Sequence, residues 1–213
     1  MRPTSPYNFQ MLADDLAGLM DVTGIKAAHI CGESFGGYIA QYFILSYPEK
    51  VINLILRCTS CGGPHSAPRD AEYLKLVTDP KLSKKSPEEI SRLLMPNMFA
   101  RAYAEKNPRV IAKFSNHKLK YPNSPQGMMR LRQVAATQDI YERLPEISVP
   151  TLVIHGDADR IITVENARIL ASRIAKAELE IFKGPGHLLV EAGDEPNRRV
   201  LEFLKKHPST GSG

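Results

Sequence analysis

The stretch Ala27-Ala28-His29-Ile30-Cys31-Gly32-Glu33-Ser34-Phe35-Gly36-Gly37-Tyr38 decides how the rest of the chain is read. A short apolar run breaks into Gly-x-Ser-x-Gly, and a helical pattern follows at once. Strand, sharp turn and helix in that order form a nucleophile elbow, in which the central serine stands above the end of a sheet. The turn strains its central residue, and Gly32 and Gly36 are expected to leave room for the chain to fold back. The N–H of Phe35 then points to where a substrate oxyanion forms, with the dipole of the following helix behind it. Without its flanks, Gly-x-Ser-x-Gly also fits an ordinary glycine-rich turn.

Before the elbow, Asn8 to Asp21 reads as an amphipathic helix. Asn8 is its N-cap, and Met11, Leu12, Leu16, Leu19 and Met20 fall near helical spacing. Ala27 to Cys31 is a buried strand. Gly36 to Ser46 is apolar nearly all round, as a buried helix must be, and Tyr47-Pro48 stops it. Val51 to Leu56 is an unbroken β-like run of the kind found in parallel sheets.

From Gly62 to about Pro145 no strand-like run occurs. Helical stretches at Ala71–Val77, Pro87–Met95, Phe99–Lys106, Arg109–Leu119 and Pro125–Tyr141 are separated by prolines, and Met95, Met98, Met128 and Met129 gather among them. This reads as a helical insertion. It is either a cap lending an apolar wall to a pocket or a unit whose methionines fill its own core. Sheet logic returns with the strand Thr151–His155, the helix Thr163–Ala175 and the strand Glu178–Phe182. A closing helix runs from Asp194 to Lys206, with Val200, Leu201, Phe203 and Leu204 expected on its inner face. Strand–helix alternation implies a parallel sheet with right-handed crossovers. The expected divisions are 1–61 and 146–207 for the two parts of an α/β core, 62–145 for the insertion, and 208–213 for a flexible tail.

Three strands therefore end in reactive groups: Ser34, the pair Asp157 and Asp159, and His187. Parallel strands bring their carboxyl ends to one edge, where catalytic groups collect. A serine hydroxyl needs a neutral imidazole to take its proton, and a carboxylate to fix that imidazole's tautomer. The residues alone leave both aspartates open as the acid. The remaining histidines rank below His187: His29 and His155 within strands, His65 and His117 in the insertion, and His207 near the end.

The order serine, acid, histidine resembles the α/β-hydrolase superfamily. His155-Gly156-Asp157-Ala158-Asp159-Arg160 is similar to its acid loop, Gly186-His187 to its base loop, and Gly32-Glu33-Ser34-Phe35-Gly36-Gly37 to its elbow. The likeness runs from Tyr7 to about Lys206 and is nearest the capped carboxylesterase, lipase and enol-lactonase branch. Serine at position 34 sets it apart from branches with an aspartate nucleophile. The resemblance implies a truncated α/β-hydrolase fold, with a mostly parallel sheet, flanking helices and a helical cap. It places the triad at Ser34, Asp159 and His187, with Asp157 as a turn cap and no cofactor. Phe35, Glu33 and Gly62 are the expected oxyanion and substrate contacts. The family places several strands ahead of the helix near Asn8, and the loop after the third supplies a second oxyanion donor. Without them, Gly62-Gly63 is the expected substitute. One side of the elbow strand is then bare, and a homodimer across that edge is expected.

The function this implies is cleavage of small carboxylic esters or lactones through an acyl-enzyme. The competing expectation is a truncated, weakly active or inactive α/β scaffold serving as a binding or assembly module. The chain has 213 residues, 43% hydrophobic and 24% charged, enough for a full core. Its net charge of +5 (28 minus 23) is scattered, with none of the aromatic-interleaved basic stripes of nucleic-acid binders. No apolar run has membrane-spanning length and no signal segment opens the chain, so the expected location is cytoplasmic. The three cysteines, Cys31, Cys58 and Cys61, fit a reducing compartment. Cys58-Thr-Ser-Cys61 closes a strand rather than opening a helix, so it reads as a buried thiol pair, and no metal site is expected.

Overall fold

The computed structural model describes residues 7–120 and 124–209. Four parallel strands form one sheet in the order β1 (Ala28–Glu33), β2 (Val51–Arg57), β3 (Thr151–Gly156) and β4 (Ala177–Phe182). The order follows the chain, so each strand lies beside its sequence neighbour. Every residue of β3 is buried, which explains its lack of apolar–polar alternation.

One face of the sheet is covered by α1 (Phe9–Val22), α2 (Phe35–Ser46) and α8 (Glu165–Arg173). Asn8 caps α1 by accepting the Met11 N–H at 2.7 Å. Phe9 packs on the rings of Phe35, Tyr38 and Tyr42, which fixes α1 against α2. The other face is covered by α9 (Glu195–Lys206), whose Phe203 is buried with Ile55, Cys58, Leu152 and Ile154. Val200 and Leu204 share that side, but Leu201 is 57% exposed. Positions 200, 203 and 204 follow i, i+3, i+4, and 201 lies a third of a turn away.

Between β2 and β3 run α3 (Ala71–Thr78), α4 (Pro87–Leu94), α5 (Arg101–Lys106), α6 (Pro108–Lys120) and α7 (Pro125–Ala135). Ser86 and Glu89 close a capping box at the start of α4. Met95, Phe99 and Ile111 form a small core of the insertion's own. The helix expected over Pro125–Tyr141 ends at Ala135. Beyond it Gln138 and Ile140 are buried while Asp139 is exposed, an alternation of period two, and Asp139 makes an antiparallel bridge with Gly62. An isolated bridge thus stands where no strand-like pairing was expected. Residues 210–213 of the expected tail lie outside the described residues. Among the described residues no helix is long and apolar enough to cross a membrane.

Candidate active site

Ser34 sits between β1 and α2 with φ 53° and ψ −118°, a conformation that side chains rarely adopt. Its N–H donates to Arg57 O at 2.9 Å, and its carbonyl accepts from Thr59 Oγ1 at 2.9 Å. The strained residue is thus held by the neighbouring strand end. A Cβ on Gly32 would lie 2.4 Å from Gly36 O, and one on Gly37 2.5 Å from Thr59. Nothing lies within 4 Å of a Cβ at Gly36. The close approaches that need glycine are therefore at 32 and 37, and the expectation for Gly36 is corrected. As the first residue of α2, Phe35 has an N–H with no helical carbonyl to bond, at the positive end of the helix dipole.

His187 lies in the loop after β4 and is 2% exposed. The Ser34 hydroxyl donates to His187 Nε2 at 2.9 Å, and His187 Nδ1–H donates to Asp159 Oδ2 at 2.7 Å. This assigns the tautomer, because the carboxylate needs the proton on Nδ1 and leaves Nε2 to accept. Asp159 Oδ1 accepts the backbone N–H groups of Ile161 and Ile162 at 2.8 and 3.0 Å. Burial would raise the Asp159 pKa, but the hydrogen bonds from His155 and His187 outweigh it. The carboxyl is held at about 2, below its ordinary 3.8. Asp157 instead accepts the Gly184 N–H at 2.7 Å, tying the acid loop to the base loop.

One expected contact is corrected. Gly62 N–H donates to Ser60 Oγ at 3.3 Å, and Gly62 is held in the bridge to Asp139. Its N–H is engaged and is not the second oxyanion donor. Glu33 stands opposite Arg57 in the β1–β2 register and pairs with it at 3.3 Å. Glu33 thus has a cationic partner across the sheet, and its side chain is 37% exposed. His29 bonds Asn53 at 3.0 Å, His65 stacks on Tyr141, and His207 meets Glu178.

Sequence reasoning missed three supports. His155 Nε2 lies 3.2 Å from Asp159 Oδ2. Glu191 Oε1 accepts from Ala100 N at 2.7 Å and Gly186 N at 3.2 Å, pinning the loop of His187 to the insertion. Arg160 donates to Asp70 at 2.6 Å, to Glu72 at 2.9 Å and to Asn97 at 3.2 Å, tying the acid loop to the same insertion. Only the His-Gly-x-x-Asp spacing of the first was visible in the chain.

Cys58, His155 and Asp159 bring donor atoms within 4.8 Å of one another. Their chemistry suits a cation poorly. Burial and the Asp159 charge push the Cys58 thiol well above 9, while the carboxylate oxygens already accept hydrogen bonds. All three cysteines are free, and Cys58 and Cys61 are buried.

Residues 5–194 match the family model Hydrolase_4, described as serine aminopeptidase, S33. The chain belongs to this α/β-hydrolase family. A 2-hydroxy-6-oxononadienedioate/2-hydroxy-6-oxononatrienedioate hydrolase of Burkholderia vietnamiensis is 32% identical, over 90% of this chain and 67% of that protein. The 3-oxoadipate enol-lactonase 2 of Acinetobacter baylyi is 27% identical, over 96% of this chain and 73% of its own length. A thermophilic esterase from Thermogutta terrifontis superposes with a TM-score of 0.79 at 26% identity, covering 98% of this chain and 76% of that one. As an α/β-hydrolase the chain is a hydrolase, built on the parallel sheet described above.

Proposed function

We propose that this α/β-hydrolase cleaves small carboxylic esters or lactones through an acyl-enzyme, with Ser34, His187 and Asp159 as its catalytic triad. The observation that carries the reading is the 2.9 Å contact from the Ser34 hydroxyl to His187 Nε2 at a strained elbow. Ser34 Oγ attacks the substrate carbonyl and gives its proton to Nε2. Asp159 holds the imidazole in that tautomer and stabilises the imidazolium. The oxyanion develops beside the Phe35 N–H. As the carbon–oxygen bond of the ester breaks, His187 returns the proton to the leaving oxygen. Water then attacks the acyl carbon with His187 as general base, releasing the acid and restoring Ser34. The steps use the three side chains, the Phe35 backbone N–H and water.

In this reading the helices between β2 and β3 act as a cap. Leu188 N–H donates to Met98 O at 3.1 Å, and Gly186 presses on the backbone of Phe99 and Ala100, so the base loop and the insertion share a seam. The names of the relatives support hydrolysis of a carbonyl substrate, and the first of them makes a 2-hydroxy-6-oxo acid the second candidate class.

A fluorophosphonate probe tests the chemistry. Labelling of the wild type that vanishes in Ser34→Ala is expected. A folded wild type that takes no label returns the chain to the scaffold reading. A panel of p-nitrophenyl esters from C2 to C12, run beside a 2-hydroxy-6-oxo acid, then separates the substrate classes.

A further inference from the structure

We propose that His155 is a positioning residue for Asp159, a second imidazole that shares the acid with His187 and limits how strongly it holds the base. The inference rests on the triad reading above. His155 ends β3 and is fully buried. Its Nε2 lies 2.7 Å from Ile162 O and 3.2 Å from Asp159 Oδ2. Both neighbours are acceptors, so Nε2 carries a proton and donates between them. With that contact, Asp159 Oδ1 takes two backbone donors and Oδ2 takes two imidazole donors. The four donors match the roughly four lone-pair directions of a carboxylate and lock its plane.

The other nitrogen of His155 marks this geometry as specific. Nδ1 is buried and has no partner, an uncommon state for a buried polar atom. Here Nδ1 is left without a partner, while Nε2 bonds Ile162 O with Asp159 Oδ2 3.2 Å away on its other side.

The consequence is electrostatic. A donor on Oδ2 withdraws charge from the oxygen that stabilises the His187 imidazolium. Removing it leaves more negative charge facing His187 Nδ1, which favours the protonated base. The charged and titratable surroundings are few. Cys58 at the end of β2 is a buried thiol kept protonated, and Tyr73 of α3, which feels the Asp159 charge, is a phenol pushed up by burial. Neither carries charge near neutral pH, and the charged groups nearer His187, Glu191 on the Gly186 N–H and the Glu33–Arg57 pair beside Ser34, are the same in every variant, so a difference in the His187 response reports on the Asp159–His155 contact.

The test compares His155→Leu, which has no donor, with His155→Gln, whose terminal amide nitrogen reaches the Nε2 position. In the full chain, His155→Leu is expected to lower kcat on p-nitrophenyl acetate about 10- to 100-fold, by analogy with outer-shell partners elsewhere, with KM within twofold. It also moves the ascending limb of the kcat/KM profile to higher pH. His155→Gln restores most of kcat and returns the limb toward the wild-type position. If the leucine variant does not fold, His155→Asn, whose amide stops short, takes its place. A titration of the His187 imidazole by 15N NMR in Ser34→Ala, with and without His155→Leu or His155→Asn, reads the contact without turnover. Esterase inactivity of the wild type would sink the hydrolase reading and leave this titration intact. An unmoved His187 midpoint, or glutamine and leucine variants alike in both kcat and pH limb, overturns the proposal.

Discussion

Replacing Asp159 by asparagine removes one charge and keeps the shape. The carboxyl is held at about 2 in the folded chain against an ordinary 3.8, so the unfolded chain takes up the proton first as the solution is acidified. The stability this contributes is present above about pH 4 and drains as pH falls toward 2. The difference corresponds to about 2 to 3 kcal/mol, at about 1.36 kcal/mol per pH unit, and close to half of it is lost between pH 5 and pH 3. Urea unfolding at pH 5, 4 and 3 reads this directly. The wild type is expected to lose about 1 kcal/mol more than Asp159→Asn over that range, since the amide has no proton to take up. The same substitution turns a donating amide or a weaker acceptor toward His187 Nδ1, favouring the tautomer that cannot accept from Ser34. Turnover of p-nitrophenyl acetate at pH 7 is then expected to fall by about 10⁴, the size of the same change in a well-studied serine protease. Parallel acid losses in the two proteins, together with turnover within tenfold, would refute the reasoning.

The remaining expectations use other contacts. Gly32→Ala drives a Cβ to 2.4 Å from Gly36 O and should abolish probe labelling, whereas Gly36→Ala meets open space and should keep it, with stability raised by up to about 1 kcal/mol. Glu191→Ala leaves the N–H groups of Ala100 and Gly186 without their acceptor. A stability loss of about 1–3 kcal/mol is expected in urea, with kcat reduced more than KM is changed, and wild-type kcat in a destabilised protein would contradict the pinning of the His187 loop. Among the described residues β1 pairs only with β2, so a second copy across its open edge should give a dimer in light scattering at micromolar concentration, abolished by a proline at His29.

The elbow was legible in the chain because its constraints are local. A β-like run, three glycines and a helix start within twelve residues place Ser34 at the turn between strand and helix. The Asn8 cap and the strands at 151 and 177 were legible for the same reason, since capping and periodicity act over a few residues. Asp159 was separable from Asp157 only through family resemblance. The bond from Asp157 to Gly184 and the bond from Asp159 to His187 each span more than twenty residues.

Local pattern thus determined the elements, their order and the edge of the sheet where the polar loops meet. Tertiary packing alone decided which groups within those loops touch. It engaged the Gly62 N–H with Ser60, paired Glu33 with Arg57, turned Leu201 to solvent, and set His155 and Glu191 beside the acid and the base loop. The physical reason is range. Propensity and periodicity act over one or two helical turns, whereas a hydrogen bond is decided by tenths of an ångström between atoms that only the assembled sheet brings together.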